Sequence, residues 1–420
     1  MRVMQITNGS SNGSTGGLGV AAKALCDKLE ESGVEVFMVR PVFDKSVPLI
    51  QLIENEVLIR TQEIKVIGDP SIASFSTYGP RWSDSIQISQ LIDFFERMEI
   101  DVYHFHHLIG FGPDFFHILK SASPKAKFIY TFHDAGPICL ADGQLFNYSE
   151  NSHCKGPQVI RCEKCLHSFG NSLNANSIFL NMKFGTQVLE QFDVLTSPSR
   201  YVSSKVEQFI GKQCLVIENI KNPLERIEPR QLQKPKEIRN RIGYFGQVTF
   251  IKGVDTLIDA VVNHNRRFVN EQVELHVFGS GPDEYLKFLS SKLERFEDKK
   301  LVVLHGPYVQ KDMVMLLKNV DWVAVPSRWA ENAPLVISEA LSAGRPLLLC
   351  DSGGKSEMVK FGLNAIAVDS DHQISWGQMI NEVLVKIDED RYREMTNFCG
   401  DQLSSDLIMG KYMDIYAKEA

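Results

Sequence analysis

The sequence predicts an α/β protein made of two doubly wound parallel-sheet domains. The chain has 420 residues, which is more than one ordinary hydrophobic core accommodates, so two domains are expected. Short apolar runs alternate with amphipathic helical segments, which is the pattern of parallel sheets covered by helices. Polar residues and glycines follow several of these runs, where open α/β sheets bind their ligands.

The composition argues against several classes of protein. Hydrophobic residues make up 44% of the chain, as in an ordinary globular protein, and a formal net charge of -7 does not favour binding to nucleic acid. No run of eighteen apolar residues is present, and the first residues, MRVMQIT, lack the features of a signal peptide. Four of the eight cysteines stand alone in the sequence, so we expect a reducing, cytoplasmic location.

The first domain is expected to span residues 1–222. Its first strand, residues 2–7, leads into the Gly-rich loop 8–19 and then an amphipathic helix. A Gly-rich loop between a strand and a helix can hold a phosphate or another ligand, although a merely flexible loop remains the alternative. The loop lacks the G-x-G-x-x-G spacing, and the next strand ends in Arg40 rather than an acid, so the dinucleotide fingerprint is absent.

Two later strands of this domain end in histidines. After strands and loops in residues 42–80 and a helix in 83–98, the strand DVYHFHH places His104 and His106 on one face. A metal pair there would lack a third ligand at suitable spacing. The strand KFIYTFHD ends in His133 and Asp134, which form either a functional pair or a structural hydrogen bond.

A cysteine-rich insertion is expected at residues 139–167. Its four thiols are Cys139, Cys154, Cys162 and Cys165. The last two form a C-x2-C pair, and four thiolates in a short loop-rich segment suit a closed tetrahedral zinc site. Two disulfides or four free thiols are the alternatives, and we expect no catalytic role for a metal here.

The second half of the chain repeats the alternation of strands and helices. We expect a linker over residues 223–240, a second doubly wound domain over 241–400, and a helical tail over 401–420. The mixed charges of the linker suit a solvated segment better than a membrane-binding one.

The stretch Pro326 to Pro346, PSRWAENAPLVISEALSAGRP, is the most informative part of the chain. Proline is favoured at a helix start and glycine just beyond a helix end, which predicts a helix over residues 334–343 and then a buried strand. Glu331 then precedes the helix and Glu339 lies more than a turn inside it. Carboxylates beside a helix start suit neutral hydroxyls, because they would repel a phosphate; a surface position is the alternative for each.

This stretch, ENAPLVISEALSAGRP with GG-x-x-E following at Gly353 to Glu357, resembles the E-x7-E signature of retaining glycosyltransferases of family 4. The resemblance covers nearly the whole chain and implies the GT-B architecture, two Rossmann-like domains facing a cleft. The first domain would bind the acceptor and the second the nucleotide sugar. The tail would cross back to pack on the first domain.

The resemblance also assigns residues to the donor. Glu331 would face the donor sugar, and Glu339 would hold the ribose. The G-x5-K-G pattern from Gly246 resembles the diphosphate clamp of the family, with Lys252 as its cation. Gln247 stands where the family usually has arginine, and a neutral amide cannot supply that charge, so Lys355 is a candidate substitute. The full donor set is Gly16, Gly17, Gly246, Gln247, Lys252, Asn332, Ala333, Pro334, Leu335, Val336 and Glu339.

On the acceptor side, the resemblance places His133 near the reacting sugar and Asp134 and His106 near the acceptor. The catalytic set that it implies is Glu331, His133, Asp134 and Lys252.

The expected function is transfer of a hexose from a nucleotide-diphosphate sugar, such as a UDP-sugar, to a hydroxyl acceptor with retention of configuration. Such enzymes need no catalytic metal. Family habit suggests bacterial polysaccharide or glycolipid synthesis, a lipid-linked saccharide acceptor, and peripheral association with the inner face of a membrane. Two alternatives remain: an NAD-dependent oxidoreductase, against which the missing fingerprint argues, and a non-catalytic protein that binds sugar nucleotides, which Gln247 keeps open.

Overall fold

A computed structural model gives the structure of the protein. It describes residues 1–7, 17–42, 46–60, 82–171, 173–221, 223–231, 239–295, 301–368, 373–381, 386–400 and 404–417. The chain divides into two compact units: residues 1–221 with 404–420 form the first, and residues 222–403 form the second.

The first unit is built on a mainly parallel sheet. Its elements in chain order are β1 (Arg2–Ile6), α1 (Gly17–Glu31), β2 (Glu35–Val42), β3 (Ile50–Ile53), β4 (Glu56–Arg60), α2 (Ser85–Met98), β5 (Val102–Phe105), α3 (Asp114–Ala122), β6 (Lys127–Thr131), β7 (Phe146–Asn147), β8 (Ser152–His153), α4 (Val159–Ser168), α5 (Ala175–Glu190), β9 (Val194–Ser197), α6 (Arg200–Ile210) and β10 (Cys214–Val216). Eight strands of the described residues form one sheet in the order β10-β9-β6-β5-β1-β2-β4-β3, in which β3 alone runs antiparallel to its neighbour. β7 and β8 form a separate two-stranded ribbon.

The second unit repeats the design with a fully parallel sheet. Its elements are β11 (Arg241–Phe245), α7 (Val254–Arg267), β12 (Glu274–Phe278), α8 (Asp283–Glu294), β13 (Val302–Gly306), α9 (Met313–Leu317), β14 (Trp322–Val325), α10 (Leu335–Ser342), β15 (Leu347–Cys350), β16 (Ala365–Val368), α11 (Gln373–Met379) and α12 (Glu389–Asn397). Its described strands form a sheet in the order β13-β12-β11-β14-β15-β16. The two parallel-sheet units confirm the predicted fold class.

Each sheet carries a separate apolar cluster on either face, because successive side chains of a strand point to opposite sides. In β5, for example, Val102 joins one cluster and Tyr103 joins the other. The last helix, α13 (Ser405–Ala417), packs on the face that Val102 shares, with Tyr412 and Tyr416 almost fully buried. Residues at the very end of the chain are thus part of the core of the first unit.

The segment predicted as the start of a linker packs on the second unit. Ile227 is buried in its core, and the guanidinium of Arg345 donates a hydrogen bond of 3.0 Å to the Ile227 carbonyl. Residues 223–231 therefore belong to the second unit as its first packed segment.

Buried charge at the amino end of the second sheet fixes the same region. Asp321 is 1% exposed, and its carboxylate accepts hydrogen bonds from Arg230 at 3.1 Å and from Arg239 at 3.2 Å. Arg239 also pairs with Glu389 at 2.8 Å. A buried charge is tolerated when it is paired in this way.

Within the described part of the chain, no helix combines the length and the apolar character needed to cross a membrane.

We expect Asp321→Ala to destabilise the protein strongly, because it leaves the buried Arg239 with only one of its two carboxylate partners. Removing one partner of a buried ion pair costs about 3–5 kcal/mol. Urea unfolding measures this, with Asp390→Ala, an exposed acid of α12, as the control that should cost less than about 1 kcal/mol. Equal losses in the two variants would contradict the importance of the cluster.

Candidate functional site: the carboxyl edges of the two sheets

The predicted donor residues of the second unit follow its parallel strands. Loops after β11, β12, β14 and β15 all leave the sheet at its carboxyl edge, because these strands run in the same direction. This edge is where open parallel sheets bind their ligands.

A glycine places Lys252 beside the loop that carries Glu331. Lys252 ends a short 3₁₀ turn, Phe250–Lys252, and Gly253 follows with φ of +72°. A Cβ atom at Gly253 would lie 2.1 Å from the carbonyl oxygen of Pro326, so only glycine allows this approach. The backbone N–H of Arg328 donates to the Ile251 carbonyl at 2.9 Å and joins the two loops.

Glu331 is the centre of this part of the site. Glu331 is 5% exposed, and one of its carboxylate oxygens accepts a hydrogen bond of 2.8 Å from the Lys252 ammonium. The other oxygen accepts a hydrogen bond from the Ser327 hydroxyl. Glu331 and Lys252 thus form an ion pair with little access to water.

The charge of Glu331 depends on its neighbours. Burial by itself would raise the pKa of Glu331, but the positive charges of Lys252 and Lys355 outweigh it, and the hydrogen bonds from Lys252 and Ser327 add to their effect. The pKa therefore lies below its usual 4.5, and the carboxylate is ionised at neutral pH.

Backbone contacts hold the Glu331 loop in place. The N–H groups of Gly354 and Lys355 both donate to the Glu331 carbonyl, at 2.7 and 3.3 Å. Gly353 has φ of +71°, and a Cβ there would lie 2.6 Å from the carbonyl carbon of Ala330. The GG-x-x-E segment therefore packs closely against the Glu331 loop and supports its backbone.

Lys355 lies inside this support, which corrects its candidacy as a second cation of the phosphate clamp. Its residue is 0% exposed, and its ammonium donates to the carbonyls of Ser327 at 3.0 Å and Trp329 at 3.4 Å. Lys355 stabilises the ionised Glu331 from within the fold, where burial keeps its ammonium away from a ligand in solvent.

Gln247 lies exposed in the loop after β11, where the family usually has arginine. Its carbonyl accepts a hydrogen bond from the Tyr244 hydroxyl. This loop packs backbone to backbone on the next one: Val248 N–H donates to Ser280 O at 2.8 Å, and a Cβ at Gly279 would lie 1.7 Å from Gly246 O. These contacts hold the loop at the carboxyl edge of the sheet, and the neutral Gln247 adds no charge to it.

Glu339 occupies a different environment on α10. This helix begins at Leu335 after Pro334, close to the predicted start, and Glu339 lies in its second turn. Glu339 is half-buried, and it accepts a hydrogen bond of 2.6 Å from the Gln310 amide. Burial raises the pKa of Glu339, in contrast to the lowered pKa of Glu331.

The other predicted donor residues are placed as follows. Asn332 is buried, and residues 333–336 are half-buried at the start of α10. Gly17 is the first residue of α1, and Gly16 lies outside the described residues. The roles of these residues toward a donor stay predictions.

Asp134 organises a loop at the carboxyl edge of the first sheet. Its Oδ1 accepts a hydrogen bond of 2.7 Å from Gly136 N–H, and its Oδ2 lies 3.5 Å from His107 Nε2. Because His107 Nδ1 accepts the Ile109 N–H at 2.9 Å, the proton of a neutral His107 is on Nε2 and faces the carboxylate. Burial would raise the pKa of Asp134, but His107 and Gly136 lower it overall. Gly143 lies so close that a Cβ there would come within 2.6 Å of Asp134 Oδ1.

His133 and His106 are in direct contact. His106 Nδ1 lies 2.8 Å from His133 Nε2, and the two rings are stacked. Burial lowers the pKa of His133 to about 4 and the pKa of His106 well below its usual value. Both imidazoles are therefore neutral at physiological pH, and His133, unlike His106, is only half-buried.

The cysteine insertion contains more regular structure than expected. Cys162 and Cys165 lie on α4 rather than in a loop, because apolar side chains at helical spacing turn one face of this segment to the core. The thiol of Cys165 donates to the Phe146 carbonyl at 3.5 Å and accepts the Tyr148 N–H at 3.3 Å. Burial raises the pKa of both helical thiols.

All eight cysteines are free thiols. Among the described residues, no group of three or more His, Cys, Asp or Glu side chains could hold a metal ion. The four predicted ligands are among these residues, so their geometry does not support the zinc site, which stays a prediction.

Several residues of these sites were not identified from the sequence. Gln5 and Ser327 carry a local signal, since Gln5 is a polar residue between the apolar Met4 and Ile6 of β1 and Ser327 lies four residues before Glu331. His107 and Gln310 contact Asp134 and Glu339 through loop geometry that no spacing rule gives.

We expect Lys355→Met to destabilise the second unit by about 1–3 kcal/mol, because it leaves the carbonyls of Ser327 and Trp329 without this donor. It should also raise the folded-state pKa of Glu331. A carboxyl group whose pKa is lower in the folded than in the unfolded protein stabilises the fold at neutral pH. This stabilisation is lost as the pH falls from the unfolded-state pKa through the folded-state pKa. The fall in unfolding free energy between about pH 7 and about pH 4 should therefore be smaller in the variant.

Urea unfolding at the two pH values measures both effects, with the exposed Lys287→Met as the control. An unchanged pH dependence in Lys355→Met would contradict the electrostatic role of Lys355.

Comparison with protein families matches both halves of the chain. The family described as Glycosyltransferase Family 4 matches residues 15–220, and the family described as Glycosyl transferases group 1 matches residues 239–385. D-inositol 3-phosphate glycosyltransferase of Xylanimonas cellulosilytica is 27% identical over 143 residues, which are 34% of this chain and 33% of that protein. Spore coat protein SA of Bacillus subtilis is 22% identical over 287 residues, 63% of this chain and 65% of that protein. The match thus spans about a third of the inositol 3-phosphate enzyme.

Solved structures match over nearly the whole length. Anabaena HepE in complex with UDP and glucose aligns with a TM-score of 0.65 and 15% identity, covering 100% of both chains. Sucrose-phosphate synthase of Thermosynechococcus elongatus aligns with a TM-score of 0.68 and 16% identity, covering 99% of this chain and 98% of that one. At such identities the likeness concerns the fold alone, which is GT-B. With two family matches that together span most of the sequence, the chain belongs to the family 4 glycosyltransferases of the group 1 type.

Proposed function

We propose that the protein transfers a hexose from a nucleotide-diphosphate sugar to a hydroxyl acceptor with retention of configuration. The observation that carries this proposal is the Lys252–Glu331 ion pair at the carboxyl edge of the second sheet. It combines a cation for a departing diphosphate with an ionised acceptor of hydrogen bonds for sugar hydroxyls.

The reaction breaks the bond between the anomeric carbon of the sugar and the diphosphate oxygen. The electron pair leaves with the diphosphate, so negative charge grows on that oxygen in the transition state. The Lys252 ammonium lies 2.8 Å from Glu331. When the donor binds, this ammonium would also donate hydrogen bonds to the diphosphate, or would exchange Glu331 for it. Since Gln247 is neutral, Lys252 and backbone N–H groups carry the stabilisation of this charge.

Glu331 would bind hydroxyls of the donor sugar. An ionised carboxylate only accepts hydrogen bonds and therefore suits hydroxyl donors. Placed near a diphosphate, it would repel the ligand unless its charge were balanced. Lys252 and Lys355 provide this balance, since both lower the pKa of Glu331.

Glu339 would bind the ribose hydroxyls of the nucleotide, away from the reacting carbon. Its half-buried carboxylate is oriented by Gln310 and retains a second oxygen as a hydrogen-bond acceptor. Its contact would be the same before and during the reaction, so it would contribute affinity rather than rate.

On the acceptor side, His133 and Asp134 would orient the reacting groups. The acceptor hydroxyl oxygen forms the new bond on the face that the diphosphate leaves, and its proton passes to the departing diphosphate oxygen. His133 would take part as a neutral imidazole, since its pKa is near 4. Asp134 would hold a hydroxyl of the acceptor, and the buried His106 would act at the same place indirectly, through its hydrogen bond to His133.

Several finer features belong to the same proposal. UDP is the proposed nucleotide, which is supported by the UDP in the Anabaena HepE complexes of similar fold. Bacterial polysaccharide or glycolipid synthesis, with a lipid-linked saccharide acceptor at the inner face of a membrane, is the proposed setting. No catalytic metal is proposed, because Lys252 and backbone N–H groups supply the positive charge.

Gln247 favours a second candidate function, a protein that binds a nucleotide sugar without transferring it. The exposed amide takes the place of the usual cation and would weaken leaving-group stabilisation more than ground-state binding. Slow hydrolysis of a nucleotide sugar by the purified protein would exclude this candidate. The family assignment gives no support to the oxidoreductase alternative.

We predict that Glu331→Gln and Glu339→Gln fail in different ways. Glu331→Gln should lower kcat about 10²-fold or more, the usual effect of losing a charged contact to the reacting centre. It should not weaken binding of free UDP, because its contacts are to the sugar. Glu339→Gln should mainly raise KM for the donor, and it should also lower the affinity for free UDP.

Steady-state kinetics and calorimetry with UDP measure these effects, after a calorimetric screen of nucleotide sugars has identified the donor. Both substitutions are nearly isosteric, and Glu294→Gln, at an exposed position at the end of α8, is the control for loss of a carboxylate elsewhere in the same unit. If Glu331→Gln lowered the affinity for UDP while Glu339→Gln did not, the two assignments would be reversed.

A further inference from the structure

A chain of hydrogen bonds inside the first unit reaches His133 from the last helix. His133 Nε2 lies 2.8 Å from His106 Nδ1, and His106 Nε2 lies 2.6 Å from Gln5 Oε1. The Gln5 amide nitrogen then donates to the Tyr416 hydroxyl at 3.1 Å. The Tyr416 hydroxyl lies 2.7 Å from His104 Nδ1.

The chemistry of these atoms determines where each proton lies. Gln5 Oε1 can only accept, so His106 must carry its proton on Nε2. His106 is neutral, because burial lowers its pKa well below the usual value, so its Nδ1 has a lone pair and accepts. The donor to this Nδ1 must then be His133 Nε2–H.

The other end of the chain agrees with this direction. The Tyr416 hydroxyl accepts from Gln5 and donates its own proton to His104 Nδ1. His104, whose pKa burial lowers to about 3, then carries its proton on Nε2 and donates to Thr131 Oγ1 at 2.6 Å. Thr131 lies 2.6 Å from Thr196 Oγ1, to which its hydroxyl donates in turn.

We infer that Gln5, His106 and Tyr416 are positioning residues that hold His133 in its Nε2–H tautomer and leave Nδ1 as a hydrogen-bond acceptor. Within the described residues, the bond to His106 is the hydrogen bond that His133 makes, and its side chain is half-buried. The Nδ1 lone pair then selects a ligand group that donates, such as a sugar or acceptor hydroxyl. The choice of hydroxyl ligand rests on the proposed function, whereas the tautomer does not.

The location of these groups explains why they act together. Gln5, His106 and Tyr416 are 0%, 1% and 5% exposed, so water does not compete for their hydrogen bonds. With Gln5 Oε1 toward His106 and its amide nitrogen toward Tyr416, the chain favours one set of tautomers, because reversing any single bond leaves two donors or two acceptors facing each other. The helix α13 thereby contributes, through Gln5 and His106, to the chemistry of His133.

The tautomer of His133 can be measured directly by long-range proton–nitrogen NMR on full-length protein with ¹⁵N-labelled histidine. The spectrum of His133→Asn identifies the His133 signals among the eleven histidines. We expect a protonated Nε2 and an unprotonated Nδ1. A protonated Nδ1 would overturn the inference.

Variants test the positioning role. Gln5→Met and Tyr416→Phe should each produce a mixture of His133 tautomers, and kcat should fall roughly ten- to a hundredfold, as when a group that orients a functional histidine is lost. KM for the donor and the affinity for UDP should change little. Tyr103→Phe is the control that should leave the tautomer unchanged, because Tyr103 is equally buried in the same unit but its hydroxyl bonds Ser123, outside the chain.

The outcomes separate this inference from the proposed function. If Gln5→Met does not fold, Tyr416→Phe alone decides the role. An unchanged His133 tautomer in a folded Tyr416→Phe variant would overturn the role of Tyr416. If the wild-type tautomer is as expected but no nucleotide sugar is consumed, the proposed function fails while the hydrogen-bond chain stands.

Discussion

The ion pair between Lys252 and Glu331 is the interaction on which the second unit's site depends. A carboxylate that is 5% exposed would ordinarily take up a proton, and it would then lose its value as a strong acceptor for hydroxyls. Lys252 and the wholly buried Lys355 keep it ionised, one at 2.8 Å and the other through the surrounding loop. Lys252 consequently has two potential partners, the carboxylate and an incoming diphosphate. The proposed function of Lys252 depends on this exchange of partners, because the positive charge that pairs with Glu331 can also stabilise the diphosphate.

Close backbone packing makes the pair possible. Gly253 lets the Lys252 turn approach the loop after β14, and Gly353 lets the next loop approach Glu331 from below. Both positions have positive φ and room for no Cβ atom. The first unit uses a different device at its own sheet edge: a buried chain of side-chain hydrogen bonds ends at His133. In each unit, residues on parallel strands and the loops after them hold one polar group in a fixed chemical state.

The sequence predicted the fold class and much of the candidate site, because these follow from local patterns. Alternation of apolar strands with helices indicated two parallel sheets, and Pro334 and Gly344 located α10 closely. Other features depend on tertiary packing. Lys355 was considered as a clamp cation because spacing does not reveal that its side chain points inward. The C-x2-C spacing of Cys162 and Cys165 suggested a metal-binding loop, but both residues lie on α4, whose apolar face packs on the core. The partnership of Gln5 with Tyr416 joins the two ends of the chain, which no local pattern could indicate.

The most direct test of the central claim is kcat/KM for Lys252→Met with the proposed nucleotide-sugar donor, once a screen with the wild-type protein has identified it. If Lys252 carries the charge of the departing diphosphate, with Gln247 contributing none, losing its contact should cost on the order of 2–4 kcal/mol, roughly thirty- to a thousandfold in kcat/KM. The exposed Lys287→Met serves as the matched control and should be close to wild type. A loss of less than about fivefold, roughly 1 kcal/mol, would mean that another group holds the diphosphate and would contradict the account.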